Sequence, residues 1–251
     1  MKNELEKDEL IRYTRQIKLP SIGLQGQQRL KNASLLIVGV GGLGSAAVIY
    51  LAAAGVGRIG LIDEDMVDLS NLQRQVLYST SEIGLPKVEC ARGRLLSLNP
   101  EIEVTTICSR LTQENASDII RKFDLVVDCC DNISTRYCIN EECVRWGKPF
   151  VYGSIFQYEG QVSVFSLPEG PCYRCVFPES ENKDISDLDK NGVIGSLPGT
   201  IGTIQATEAI KIITGIGKPL SGRMLHYDSL NMEFNIISLR KNPSCLSCRK
   251  P

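Results

Sequence analysis

The chain of 251 residues carries 28 Lys and Arg against 29 Asp and Glu, is 43% hydrophobic, and has ten cysteines and a single histidine. That length and composition support a sizeable buried core and exclude disordered and low-complexity classes. A formal net charge of −1 leaves no electrostatic footprint for nucleic acid, and the lone His226 excludes a two-histidine acid/base pair or a His-rich metal centre within one subunit. The opening MKNELEKDELIRYTRQ is charged from its second residue and lacks the apolar core of a secretory signal. It reads as the start of a cytoplasmic protein with reduced thiols. The uncharged stretch from Asn32 to Gly57 is long enough to cross a bilayer, but the glycines packed into Gly39–Gly44 argue against a membrane helix there.

In chain order, Leu35–Gly39 is a short apolar run suited to a strand buried on both faces. A glycine turn leads into a small-residue helix over Ser45–Ala54, and Arg58–Asp63 is a second strand ending in acid. This order is a βαβ unit and predicts an α/β fold. Pro86 and Asn99-Pro100 bracket a helix over Lys87–Leu98, followed by a strand at Ile102–Ile107. Helix Thr112–Lys122, strand Leu125–Cys129, helix Ile133–Trp146 and strand Phe150–Gly153 complete a first half, residues 1–153. In the second half, Gly160–Leu167 alternates as a half-exposed strand, Pro178–Asn191 reads as a mobile polar loop, Thr200–Thr214 as a helix, and Arg223–Asp228 and Glu233–Leu239 as strands. No linker or repeat divides the chain. One domain over 1–251 is expected, with a Rossmann-like, largely parallel sheet flanked by helices and an antiparallel extension in the C-terminal half.

Gly39-Val40-Gly41-Gly42-Leu43-Gly44 fits G-x-G-x-x-G at a strand-to-helix turn, where backbone N–H groups and the helix dipole receive phosphate. Asp63 is placed to accept from a ribose. The alternative is that the glycines serve helix–sheet packing alone. The turn Asp68-Leu69-Ser70-Asn71-Leu72-Gln73-Arg74-Gln75 then offers two amides around a guanidinium, and Lys87 opens a helix. Singly such cations are solvated surface charges; together with the glycine turn they favour a triphosphate, whose larger charge calls for added cations, over a dinucleotide. Asp131-Asn132 follows a strand at the end where open α/β sheets bind ligands. Its carboxylate suits Mg²⁺, or one of the pair caps the next helix.

Cys172-x-x-Cys175 and Cys245-x-x-Cys248 are two knuckles, each suited to presenting a pair of thiolates to one ion. Their separation is too long for a simple zinc ribbon, so the spacing does not show that they meet, and a redox role is the rival reading. Cys90, Cys108, Cys129, Cys130, Cys138 and Cys143 read as small core residues.

The series GVGGLG, LIDEDMVDLSNLQRQ, GLPKVE, DCCDN, PCYRC and PSCLSC resembles the ThiF/MoeB/HesA family of the ubiquitin-activating superfamily, from about Arg12 to Cys248. The resemblance implies transfer of AMP from ATP to the C-terminal glycine carboxylate of a small ubiquitin-like sulfur-carrier protein of the ThiS or MoaD kind. It implies nucleotide contacts from Gly39, Gly41, Gly42 and Gly44, ribose binding by Asp63, and phosphate contacts from Ser70, Asn71, Leu72, Gln73, Arg74 and Lys87. It also implies Mg²⁺ on Asp131 beside Asn132, and a homodimer in which Arg15 reaches the partner's site. Cys172, Cys175, Cys245 and Cys248 would share one structural Zn²⁺, and residues 154–251 would form the carrier-binding and zinc half. Many relatives carry a loop cysteine where this chain has Leu188, and no cysteine lies between Cys175 and Cys245. The expectation is an enzyme that stops at the acyl-adenylate and leaves sulfur delivery to a separate sulfurtransferase. A peptide-adenylating enzyme of the microcin type, a tRNA-modifying dehydratase and a noncatalytic nucleotide-binding relative are the alternatives.

Overall fold

The computed structural model describes residues 4–178 and 192–249. The expected mobile loop lies, apart from Pro178, outside the described residues, as does Leu188. Eight strands form one sheet in the order β3-β2-β1-β4-β5-β6-β7-β8. These are β1 Ser34–Val38, β2 Arg58–Ile62, β3 Glu103–Ile107, β4 Leu125–Asp128, β5 Phe150–Phe156, β6 Glu159–Phe165, β7 Arg223–Asp228 and β8 Glu233–Ser238. The first five run parallel and β5 to β8 antiparallel, as the change of texture after residue 153 predicts.

Helices α1 Lys7–Arg12, α2 Thr14–Ile17, α3 Gly23–Asn32, α4 Gly42–Ala53, α5 Lys87–Leu98, α6 Ala116–Ile120, α7 Ile133–Trp146, α8 Tyr173–Val176 and α9 Ser196–Thr214 flank the sheet. Every residue of β1 is buried, because α4 and α9 cover one face of the sheet while α6 and α7 cover the other. The resulting cores centre on Leu35, Ile37, Leu51 and Ile201, and on Leu36, Ile120, Ile139 and Phe150. By contrast β8 is exposed along its whole length.

Two differences from the expected elements have physical causes. Helix α4 starts three residues early, inside the glycine run, since Gly39 at φ 87° makes the turn and Gly41 is the N-cap. Helix α9 begins at Ser196 rather than Thr200 because Pro198 falls in the first turn, where no N–H is required. The core reading also fails at one cysteine: Cys108 is exposed at the end of β3, whereas Cys90, Cys129, Cys130, Cys138 and Cys143 are buried. Burial pushes the Cys138 thiol up to about 11 and those of Cys129, Cys130 and Cys143 well above the ordinary range, so these thiols stay protonated.

The N-terminal helices are tied to the C-terminal end of α4 by buried amides. Asn99 donates to Ala52 O at 2.7 Å and to the Tyr13 hydroxyl at 2.9 Å. Gln27 donates to Ala54 O at 2.9 Å, and Gln16 donates to Gln27 at 2.6 Å. Among the described residues no helix is long and apolar enough to cross a membrane.

Candidate functional site: a cleft at the carboxyl ends of the parallel strands

The turn after β1 is shaped by close approaches only glycine allows. A Cβ on Gly44 would stand 2.2 Å from Gly39 O, and one on Gly39 2.8 Å from Cys129 O. The N-terminus of α4 therefore sits hard against the ends of β1 and β4, with the first N–H groups of the helix lacking intrahelical acceptors. Gly39, Gly41, Gly42 and Leu43 form one wall of a cleft of about 480 Å³. Gly44 does not line it and instead makes the helix–strand approach possible.

Asp63 faces this turn. Its Oδ2 accepts from Val40 N at 2.7 Å and its Oδ1 from Asp65 N at 2.9 Å, and the Tyr78 hydroxyl donates to Val40 O at 2.7 Å. Burial pushes the Asp63 carboxyl up, opposed by those two N–H groups and by Lys87. Lys87, 5% exposed at the first position of α5, reaches Asp65 at 2.8 Å.

The segment expected to contact phosphates divides in two. Ser70, Asn71, Leu72 and Gln73 are not among the residues lining the cleft. Ser70 N donates to Asp68 at 2.8 Å and Asn71 completes the same capping box, while Gln73 packs against Gly195 at the start of α9. This folded turn delivers Arg74 and Gln75 to the cleft. Arg74 is steadied by Ser70 O at 3.1 Å. Gln75 is buried, and its Oε1 has no hydrogen-bond partner.

At the end of β4, Asn132 Oδ1 accepts from Thr135 N at 2.9 Å and caps α7. That leaves Asp131 exposed at the cleft, its carboxylate available. Of the pair, Asn132 takes the capping role. Arg15 lies exposed on α2 and is not among the cleft-lining residues of its own chain.

The cleft also holds residues that sequence reasoning missed, among them Glu64, Asp65, Arg110 and Arg136. Arg136 is anchored beneath it. Its Nη2 donates to Cys130 O at 2.8 Å and Gly153 O at 3.3 Å, its Nε lies 3.5 Å from Asp128, and its guanidinium covers the Tyr152 ring at 5.2 Å. Burial pushes the fully buried Asp128 carboxyl up and Arg136 pulls it back. Burial also works against the guanidinium's charge, but Asp128 and the neighbouring groups outweigh it, so Arg136 stays charged. Its position four residues after Asn132, one turn into α7, is the signal that could have found it.

Away from the cleft, Cys172, Cys175, Cys245 and Cys248 converge, all four sulfurs lying within 4.8 Å of one another. The closest pairs are Cys175–Cys248 at 3.4 Å, Cys172–Cys245 at 3.5 Å and Cys172–Cys175 at 3.7 Å. Four thiolates around one tetrahedral ion with metal–sulfur bonds of about 2.3 Å stand about 3.8 Å apart, so the donor set and spacing fit such an ion. The knuckle is fastened to α7, since Ser247 and Arg174 both donate to Glu141 and Tyr173 N donates to Asn140 Oδ1 at 2.8 Å.

Fold and cleft together define a Rossmann-like α/β protein with a glycine turn at a helix N-terminus, a fixed acid beside it and Arg74, Lys87, Arg110 and Arg136 around the same cleft. The sequence pattern of the ThiF family matches residues 13–247, and the chain belongs to that family. It is 49% identical over 248 residues to the sulfur carrier protein adenylyltransferase of Thermus thermophilus, covering 96% of this chain and 92% of that one. It is 47% identical over 247 residues to the adenylyltransferase and sulfurtransferase MOCS3 of Culex quinquefasciatus, covering 98% of this chain but 56% of that one. The chain thus spans about half the length of that relative. The crystal structure of E. coli MccB with ATP superposes with a TM-score of 0.82 at 26% identity, over 98% of this chain and 75% of that one.

Removing Arg136 would strand the buried Asp128 charge. Arg136→Met is expected to destabilise the protein by about 3–5 kcal/mol, and adding Asp128→Asn to recover a substantial part of that loss. Chemical denaturation of the two single variants and the double variant tests the coupling, and additive losses would disprove it.

Proposed function

We propose that this chain transfers AMP from ATP to the C-terminal glycine carboxylate of a small ubiquitin-like sulfur-carrier protein, of the ThiS or MoaD kind, releasing pyrophosphate. The observation that carries the reading is the gathering of the glycine turn, Asp63, Arg74, Lys87 and Asp131 in one cleft. The activity named for the Thermus thermophilus relative supports it.

The chemistry suits a site without histidine. A carboxylate at the carrier's C-terminus is already ionised at neutral pH and attacks the α-phosphorus directly, so no general base is needed. The one histidine, His226, lies on β7 with Glu159 at 3.2 Å and is not among the cleft-lining residues. The protein's tasks are to align the attacking and leaving oxygens and to neutralise charge collecting on pyrophosphate. The N–H groups of α4 receive phosphate oxygens, Asp63 orients the ribose, and Arg74 and Lys87 supply positive charge. Lys87 is held ready by Asp65 at the cleft. Mg²⁺ would add charge neutralisation across the phosphates, and Asp131 is the carboxylate placed to hold it.

Three further assignments belong to this reading. The four-cysteine cluster holds structural Zn²⁺. The active form is a homodimer, in which Arg15, outside its own cleft, completes the partner's. Sulfur is delivered by a separate sulfurtransferase, because residues 176–244 contain no cysteine to carry it. The reading assigns the reaction to the cytoplasm, a setting in which thiols stay reduced.

Carrier-dependent ATP–pyrophosphate exchange is expected to fall at least about a thousandfold in Arg74→Ala and Asp131→Ala with the fold intact. Exchange near the wild-type rate in either would refute the assignment. Mixing inactive Arg15→Ala and Lys87→Ala subunits should restore activity, and no recovery after verified subunit exchange would count against a shared site. Metal analysis of freshly purified, reduced protein should give one zinc per chain, lost in Cys172→Ser; zinc-free wild-type protein that is fully folded would rule out the structural ion.

A further inference from the structure

The strand order β3-β2-β1-β4 gives the cleft a direction. With phosphates at the turn after β1 and the ribose at Asp63 after β2, a base on the far side of the ribose lies over the end of β3. There the cleft is lined by three consecutive residues, Ser109, Arg110 and Leu111. Leu111 is buried and belongs to the same apolar cluster as Ile62 and Val38, which gives that end of the cleft a greasy floor.

Arg110 stands at the rim with its side chain 62% exposed, yet it is held in place. Its Nε and Nη2 both bond to Glu64 Oε1, at 2.6 and 2.5 Å. Glu64 directly follows Asp63, so consecutive carboxylates at the end of β2 fix the ribose and the guanidinium. An exposed ion pair of this kind contributes little to stability. What it does is hold a planar cation along one edge while most of the side chain stays exposed at the cleft, and the face of such a cation stacks on a nucleobase.

We propose that Arg110, clasped by Glu64, covers the base of the bound nucleotide and is a specificity-determining residue for it, with Leu111 as the opposing apolar surface. The proposal rests on the ATP reading above. The clasp follows β2 and β3, with β1 between them and β4, which Asp131 follows, so its contribution belongs to the base and not to the phosphates.

Isothermal titration of the full chain with Mg²⁺-ATP and, separately, with Mg²⁺ and inorganic tripolyphosphate tests this. Arg110→Ala is expected to weaken ATP about tenfold and tripolyphosphate less than about twofold. Arg110→Lys keeps the charge but loses the planar face, and should resemble the alanine variant. Glu64→Gln loosens the clasp and should weaken ATP by a smaller factor. Thermal melts should be unchanged, because both side chains are exposed. Equal weakening of both ligands in Arg110→Ala would make Arg110 a phosphate contact and overturn the proposal, as would unchanged ATP affinity. Failure of folded wild-type protein to bind ATP at all would instead overturn the nucleotide reading, and this proposal with it.

Discussion

Everything in the cleft depends on how closely a helix can approach a strand end. Gly44 against Gly39 O and Gly39 against Cys129 O bring the start of α4 into contact with the ends of β1 and β4 at once. A methyl group at either position would push the helix out and open the turn. The helix N-terminus would then no longer face Asp63, which is tied to the same turn through Val40 N. One packing constraint therefore places both the N-terminal end of a helix and the acid beside it.

The cleft also illustrates how charge is managed before a ligand arrives. Lys87 rests on Asp65, Arg110 on Glu64 and Arg136 on Asp128. The first two pairs line the cleft with exposed carboxylates. The third is sealed under it, where an unpaired charge is costly, and braces the carbonyls of Cys130 and Gly153 on either side of the β4–β5 pair. What separates the pairs is the carboxylate: Asp65 and Glu64 are exposed, whereas Asp128 is fully buried.

Much of this was legible in the sequence, for local reasons. The strand, glycine turn, helix and acid of the first βαβ unit are spelled out in consecutive residues. Lys87 and helix α5 follow from Pro86, and helix α7 from Asn132. What depends on neighbours across the sheet was not legible. Arg110 follows β3 and meets Glu64 only because β3 lies beside β2. The two cysteine pairs, far apart in the chain, meet only because both ends pack near α7. Helices α1 to α3 are short and polar, and the amides and cations that hold them reach partners far along the chain, such as Ala54, Leu98 and Thr214. Cys108 was misread because a strand end can face water, whatever the apolar character of its residue.

The amides at the other end of α4 have a consequence for catalysis. Asn99 and Gln27 take up the carbonyls of Ala52 and Ala54, and a third amide, Gln16, tethers the segment that carries Arg15. The helix is thus a strut pinned at both ends. Its dipole is oriented before any anion arrives, so binding need not be spent on reorganising it. Any displacement of the helix along its axis works against those amides, which join it to the segment carrying Arg15.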